Sequence, residues 1–265
     1  ARAAATFVLD HLNEEDRFAL VVFNSAVSTY AEALRPASDR AAARAYVQGL
    51  GAGGSTDIDG ALQRALQLAD AGSGRPQVVL FLTDGLPTVG EQEPARILEN
   101  VSARSGEAIR LIPFGVGYDV NSALLDSLSQ ENHGASAYVL PGENLEERVS
   151  AFYSKINSPV LAGLTLDLGG ITTFDTYPNP LPDLFLGSQL VVVGRYKDGG
   201  PTTVTLRGTV NGQARSYVYE GLDFAADDGH DFIPRLGASR KIGYLLGQVR
   251  LHGENPEVVD EIVAL

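Results

Sequence analysis

Residues 77–85 read QVVLFLTDG: an uninterrupted apolar run from Val78 to Leu82, closed by Thr83 and the turn-forming pair Asp84-Gly85. Such a run predicts a strand buried on both faces, as in a parallel sheet with helices on each side. The flanks agree. Residues 58–69, 94–105, 123–130 and 145–156 carry helical patterns, and residues 109–116 and 137–140 read as further strands. Upstream, residues 18–23 (FALVVF) form a second apolar run, and residues 28–34 a weaker strand. Residues 3–12 and 38–50 read as helices. Strands alternating with helices of this length predict βαβ units and an α/β, doubly wound, mostly parallel sheet over residues 1–156.

After Ser158-Pro159 the pattern changes. Residues 160–232 are rich in Thr, Val, Tyr, Gly and Pro, with alternating runs at 164–168, 189–196, 202–210 and 214–219. Lys197-Asp198-Gly199-Gly200 and Asn211-Gly212 read as hairpin turns. This predicts an antiparallel β-sandwich region with a core from Leu164, Leu166, Leu190, Val192, Val204, Leu206 and Tyr217. Residues 233–265 form a C-terminal helical segment, with helices over 236–251 and 256–264.

Composition removes several function classes. With 33 acidic against 20 basic residues the net charge is −13, and no basic patch offers itself to nucleic acid. No apolar stretch reaches the length of a membrane helix. The absence of cysteine excludes disulfides, thiolate zinc sites and thiol nucleophiles. The chain has no Met and opens inside a helical pattern, so it reads as an internal or processed piece of a longer protein.

Two segments carry the candidate chemistry. Gly53-Gly54-Ser55-Thr56-Asp57-Ile58 is a glycine loop opening a helix, and Asp84-Gly85 ends the most apolar strand. In an open parallel sheet, ligands bind outside the carboxyl ends of the strands, where both segments are expected. Thr56 and Asp84 are hard oxygen donors of the kind Mg²⁺ accepts while keeping several waters. Thr56 also suits the N-cap of its helix, with Asp59 as a capping-box partner, and Asp84-Gly85 suits a turn. Cap and ligand roles are compatible. Other motifs are weaker. Residues 49–56 (GLGAGGST) lack the Lys of a phosphate-binding loop. Asp223, Asp227, Asp228 and Asp231 miss the EF-hand spacing, because Phe224 and Ala226 fall where oxygen ligands belong. His11, His133, His230 and His252 are scattered, with no zinc-protease pair. Asn100-Val101-Ser102 fits a glycosylation acceptor but lies in a helical pattern.

The glycine loop with Thr56, the strand-end Asp84 and their order resemble a von Willebrand factor type A domain. Ile233-Pro234-Arg235-Leu236, Arg240-Lys241-Ile242 and His252-Gly253-Glu254-Asn255-Pro256-Glu257 resemble the stretch that follows this domain in inter-alpha-trypsin inhibitor heavy chain-like proteins, bacterial relatives included. The resemblance implies a metal-ion-dependent adhesion site with Thr56 and Asp84 as ligands. The ion would be Mg²⁺, with Ca²⁺ or Mn²⁺ as alternatives, and an acidic side chain of a protein partner would complete its shell. It implies a non-enzymatic, extracellular or cell-surface adhesion module. The alternatives are a metal-dependent hydrolase at the same edge, with Glu91 the nearest acidic candidate, and a scaffold with a decayed metal site.

Two departures from the family pattern are visible. No D-x-S-x-S sequence occurs, so the family's first strand and its ligand loop would precede Ala1, and metal affinity would be weak in this chain. Gly237 stands where relatives often carry Trp. In the family the missing strand lies between the runs at 18–23 and 77–83. Either those runs stay apart by about two strand spacings with unpaired backbone groups between them, or they close up and pair directly; closure is expected, because a buried unpaired backbone group costs about 1–3 kcal/mol.

Overall fold

In the computed structural model of the chain, helix α1 (Arg2–Asp10) leads into four short strands, β1 (Arg17–Phe18), β2 (Val21–Phe23), β3 (Val27–Thr29) and β4 (Arg35–Pro36). Then come α2 (Arg40–Gln48), α3 (Ile58–Leu68), β5 (Gln77–Thr83), α4 (Pro94–Ser102), β6 (Ile109–Val116), α5 (Ser122–Glu131), β7 (Ala137–Val139) and α6 (Leu145–Ile156). The remainder holds β8 (Pro159–Asp167), β9 (Thr172–Tyr177), β10 (Leu184–Phe185), β11 (Val193–Lys197), β12 (Gly200–Val210), β13 (Gln213–Phe224), α7 (Phe232–His252) and α8 (Pro256–Ala264). The structure describes every residue except 52, 70–76, 107–108, 157–158, 186, 211–212 and 226–231. Asp227, Asp228, His230, Asp231 and the Asn211-Gly212 turn therefore lie outside the described residues. Two units are resolved by their internal contacts, Ala1–Asn157 and Ser158–Leu265.

The first unit is α/β. β5, β6 and β7 form a parallel sheet in that order, with Thr83 beside Gly115 and Gly115 beside Tyr138. β6 is central, and Ile109, Leu111, Ile112 and Phe114 on it are almost fully buried. Against the sheet the helices present apolar stripes at helical spacing: Ile58 and Leu62 on α3, Ile97, Leu98 and Val101 on α4, and Leu124, Leu125 and Leu128 on α5. A smaller cluster of Leu9, Phe18, Ala43 and Val47 joins α1 and α2 to β1.

The expected closure of the sheet does not occur. Among the described residues β2 ladders only with β3, and β5 only with β6. The run at 18–23 is also broken at Ala19-Leu20 into two strands, and β1 pairs with β4. The expectation failed on its premise that both strands are buried. All of β2 is half-buried, and Val78 on β5 is 42% exposed. The two strands meet through side chains instead, with the Phe23 and Phe81 rings stacked at a centroid distance of 5.3 Å.

The second unit is antiparallel. One sheet has the order β10-β8-β12-β13, and β9 pairs separately with β11. Leu164 and Val204 are buried, and Leu166, Leu190, Val192 and Leu206 are half-buried. Tyr217 departs from the expected core: it lies on edge strand β13 and is 44% exposed. Lys197–Gly200 is not a hairpin turn, because β11 and β12 belong to different ladders. Helix α7 packs on the β9–β11 ladder. Lys241 of α7 is 15% exposed and bridges Asp175 of β9 at 3.0 Å and Glu261 of α8 at 2.7 Å. Among the described residues no helix is long and apolar enough to cross a membrane.

Candidate functional site

Three loops meet at the carboxyl end of β5. The first is the β5–α4 connection. Thr83 is buried; its hydroxyl donates to the Gly85 carbonyl at 3.1 Å and accepts the Gly85 N–H at 3.4 Å. This turn leaves Asp84 exposed at the end of the strand. The second is the glycine loop before α3. Gly54 has φ +98°, and a Cβ there would stand 3.0 Å from Ser25 Oγ and 3.2 Å from Asn24 Cβ. Only glycine allows both that backbone conformation and that approach. The third is the β2–β3 connection. Ser25 Oγ accepts the Ser55 N–H at 2.9 Å, and the Asn24 carbonyl accepts the Asp57 N–H at 3.0 Å.

Thr56 is tied to the β5–α4 connection by its backbone. Its N–H donates to Thr88 Oγ1 at 2.8 Å, and its carbonyl accepts the N–H groups of Thr88 at 2.9 Å and Val89 at 3.3 Å. Its hydroxyl faces Gly85: a Cβ at that glycine would be 3.3 Å from Thr56 Oγ1. The structure therefore brings the Thr56 hydroxyl beside the residue that follows Asp84, at one edge of the sheet.

The cap of α3 is Asp57, not Thr56. The Asp57 carboxylate accepts the Gly60 N–H at 2.9 Å. Gly90, at φ +70°, makes room for it, since a Cβ there would stand 2.5 Å from Asp57 Oδ1. Asp59 points elsewhere and accepts two bonds from the Asn100 amide, at 3.2 and 3.3 Å. Its carboxyl is raised above the ordinary range, chiefly by burial and further by the charges of Asp57 and Glu91, while Asn100 pulls the other way. Asn100 is thus engaged within the fold, on α4. Glu91 folds back on its own loop, with one oxygen accepting the N–H groups of Gln92 and Glu93 at 3.0 Å each.

The sequence reading misses Thr88, Asn24 and Ser25, which hold the loops in place. Thr88 lies four residues beyond Asp84, between Pro87 and Val89, with no local signal. Asn24-Ser25 ends an apolar run, as Asp84-Gly85 does, and that parallel was the available clue. Among the described residues no three His, Cys, Asp or Glu side chains are grouped to hold a metal. The two expected ligands at the edge are the Thr56 hydroxyl and the exposed Asp84 carboxylate. Both are hard oxygens, and the missing Cβ of Gly85 leaves the space beside the hydroxyl open, a set that fits an ion retaining much of its water.

The model of the von Willebrand factor type A domain matches residues 1–150. Human inter-alpha-trypsin inhibitor heavy chain H4 is 30% identical over 93% of this chain and 29% of its own length. The mouse heavy chain H2 is 28% identical over 91% of this chain and 28% of its own. The chain thus spans under a third of the length of these relatives. In fold it is similar to a von Willebrand factor type A protein from Catenulispora acidiphila, with a TM-score of 0.67 at 18% identity over 94% of this chain and 67% of that one. The ArnB paralog VWA2 from Sulfolobus acidocaldarius gives 0.52 at 16% identity, over 99% and 73%.

Proposed function

The chain belongs to the von Willebrand factor type A domain family, and from that premise we propose that it is a protein-binding module whose sheet edge holds a divalent cation. Members of the family commonly bind a metal and mediate protein interactions. The observation that carries the reading is the approach of the Thr56 hydroxyl to the Asp84-Gly85 turn while Asp57 takes the cap. A threonine held at a strand-end edge by two partners of its backbone, and not needed as a cap, is available as a ligand.

Thr56 Oγ1 and the Asp84 carboxylate would hold the ion. Hard oxygen donors with water completing the shell favour Mg²⁺ over softer metals. When bound, the ion supplies a positive charge at an edge whose own side chains are acidic, and a partner carboxylate is the group it would take. Thr88 positions Thr56, and Thr83 positions Asp84. The hydrolase alternative loses support because Glu91, its candidate base, is turned onto its own backbone. The relatives are secreted proteins, and we extend an extracellular or cell-surface setting to this chain.

The test is calorimetric titration of Mg²⁺ into the full-length protein. One site is expected, lost in Asp84→Asn and weakened in Thr56→Val. An isotherm unchanged in both variants would overturn the assignment.

A further inference from the structure

The edge that carries Asp84 also carries an apolar rim. Thr83, Gly115 and Tyr138 stand side by side in one row across β5, β6 and β7. Leu86 and Tyr118 lie three residues beyond that row, and Leu140 lies two beyond it. Because the strands are parallel, all three residues leave the sheet at the same edge. They are 49%, 77% and 49% exposed. Among the described residues of Ala1–Asn157 only one other large hydrophobic is exposed, Val78 within β5, at 42%. A single exposed leucine needs no explanation, but apolar residues on consecutive strand ends form a patch.

The loops that present the patch are held in shape. The Gly117 N–H donates to the Val139 carbonyl at 2.9 Å, joining the ends of β6 and β7. The Leu140 N–H donates to the Glu143 carboxylate at 2.8 Å, and Arg148 pairs with the same carboxylate. Preset loops lower the ordering cost of binding. The charges of these loops have one sign. Residues 84–93, 117–121 and 140–144 contain Asp84, Glu91, Glu93, Asp119 and Glu143, and no Lys or Arg. A partner with several carboxylates would meet this field and be repelled.

We propose that the edge docks a protein segment carrying a single carboxylate flanked by large apolar side chains, its other neighbours neutral or basic. The carboxylate would meet the ion, and the apolar side chains would cover Leu86, Tyr118 and Leu140. The proposal rests on the metal-site reading above and adds the chemistry of the partner.

A phage-displayed random dodecapeptide library is panned on the full-length protein, once with MgCl₂ and once with EDTA. Enrichment with MgCl₂ of peptides holding one Asp or Glu beside Leu, Ile, Phe or Tyr is expected. A synthetic peptide of the enriched sequence should bind the Tyr118→Ser/Leu140→Ser variant about tenfold more weakly, while the Mg²⁺ isotherm of that variant stays unchanged. Enrichment of acid-rich peptides, no enrichment, or full binding to the variant would overturn the proposal. Equal enrichment of apolar peptides in EDTA would overturn its carboxylate clause. A flat Mg²⁺ isotherm in the unaltered protein, read separately, would remove the metal-site reading itself.

Discussion

Thr56 and Asp57 are adjacent, and the structure gives them separate tasks that substitution can divide. Asp57→Ala removes the acceptor of the Gly60 N–H at the start of α3. Loss of an N-cap costs about 1 kcal/mol, within a range of roughly 0.5–2. Removing the charge also relieves its repulsion of Asp59, which offsets a little of that loss. For a unit the size of Ala1–Asn157, about 1 kcal/mol lowers Tm by roughly 2–4 °C. Asp57→Asn keeps an oxygen acceptor and should hold Tm near the parent value, since Asn caps as well as Asp. Thr56→Val keeps both backbone partners of Thr56 and removes only the hydroxyl. Its stability should stay within about 0.5 kcal/mol, while its Mg²⁺ affinity falls. Circular dichroism melts report the stabilities, and hydrogen exchange of the Gly60 amide reports the cap directly. That amide should exchange faster in Asp57→Ala and unchanged in Thr56→Val. A destabilised Thr56→Val with an unaffected Asp57→Ala would return the cap to Thr56 and refute the division of roles.

Other outcomes follow from the same geometry. Thr88→Ala should cost about 1 kcal/mol by freeing the Thr56 N–H, and should weaken Mg²⁺ binding without removing a donor, as calorimetry of the variant would show. Gly237→Ala, in α7 with open space where its Cβ would go, should stabilise by about 0.5–1 kcal/mol in urea unfolding. Gly134→Ala should do the reverse, by about 3 kcal/mol, because its Cβ would lie 1.8 Å from the Leu111 carbonyl oxygen. The Lys241 ammonium is raised above its ordinary pKa of 10.5, first by Glu261 and then by Asp175. A lysine with a raised folded pKa contributes fully below the unfolded value and loses that contribution as pH climbs through the folded one. The stability lost in Lys241→Met, about 1 kcal/mol at neutral pH, should therefore vanish only above pH 10.5, as chemical unfolding across that range would show.

Local patterns determined much of this protein from the sequence alone. The bounds of β5, β6, α6 and α8 follow from apolar runs and helix signals that neighbouring residues supply, such as Pro256 at the first turn of α8. The α/β class and the shared edge of Thr56 and Asp84 follow from element order, because parallel strands all end on one side. Partners distant in the chain were decided only by the tertiary structure. Strand β9 escaped the sequence reading because a half-exposed strand in a two-stranded ladder carries no clean alternation. The exposure of Tyr217 depends on β13 being an edge, which its own alternation does not reveal. Asp57 takes the cap from Thr56 because Thr88 holds the Thr56 backbone and Gly90 leaves space for the Asp57 carboxylate. β2 and β5 belong to separate ladders, a pairing between distant segments that composition cannot carry.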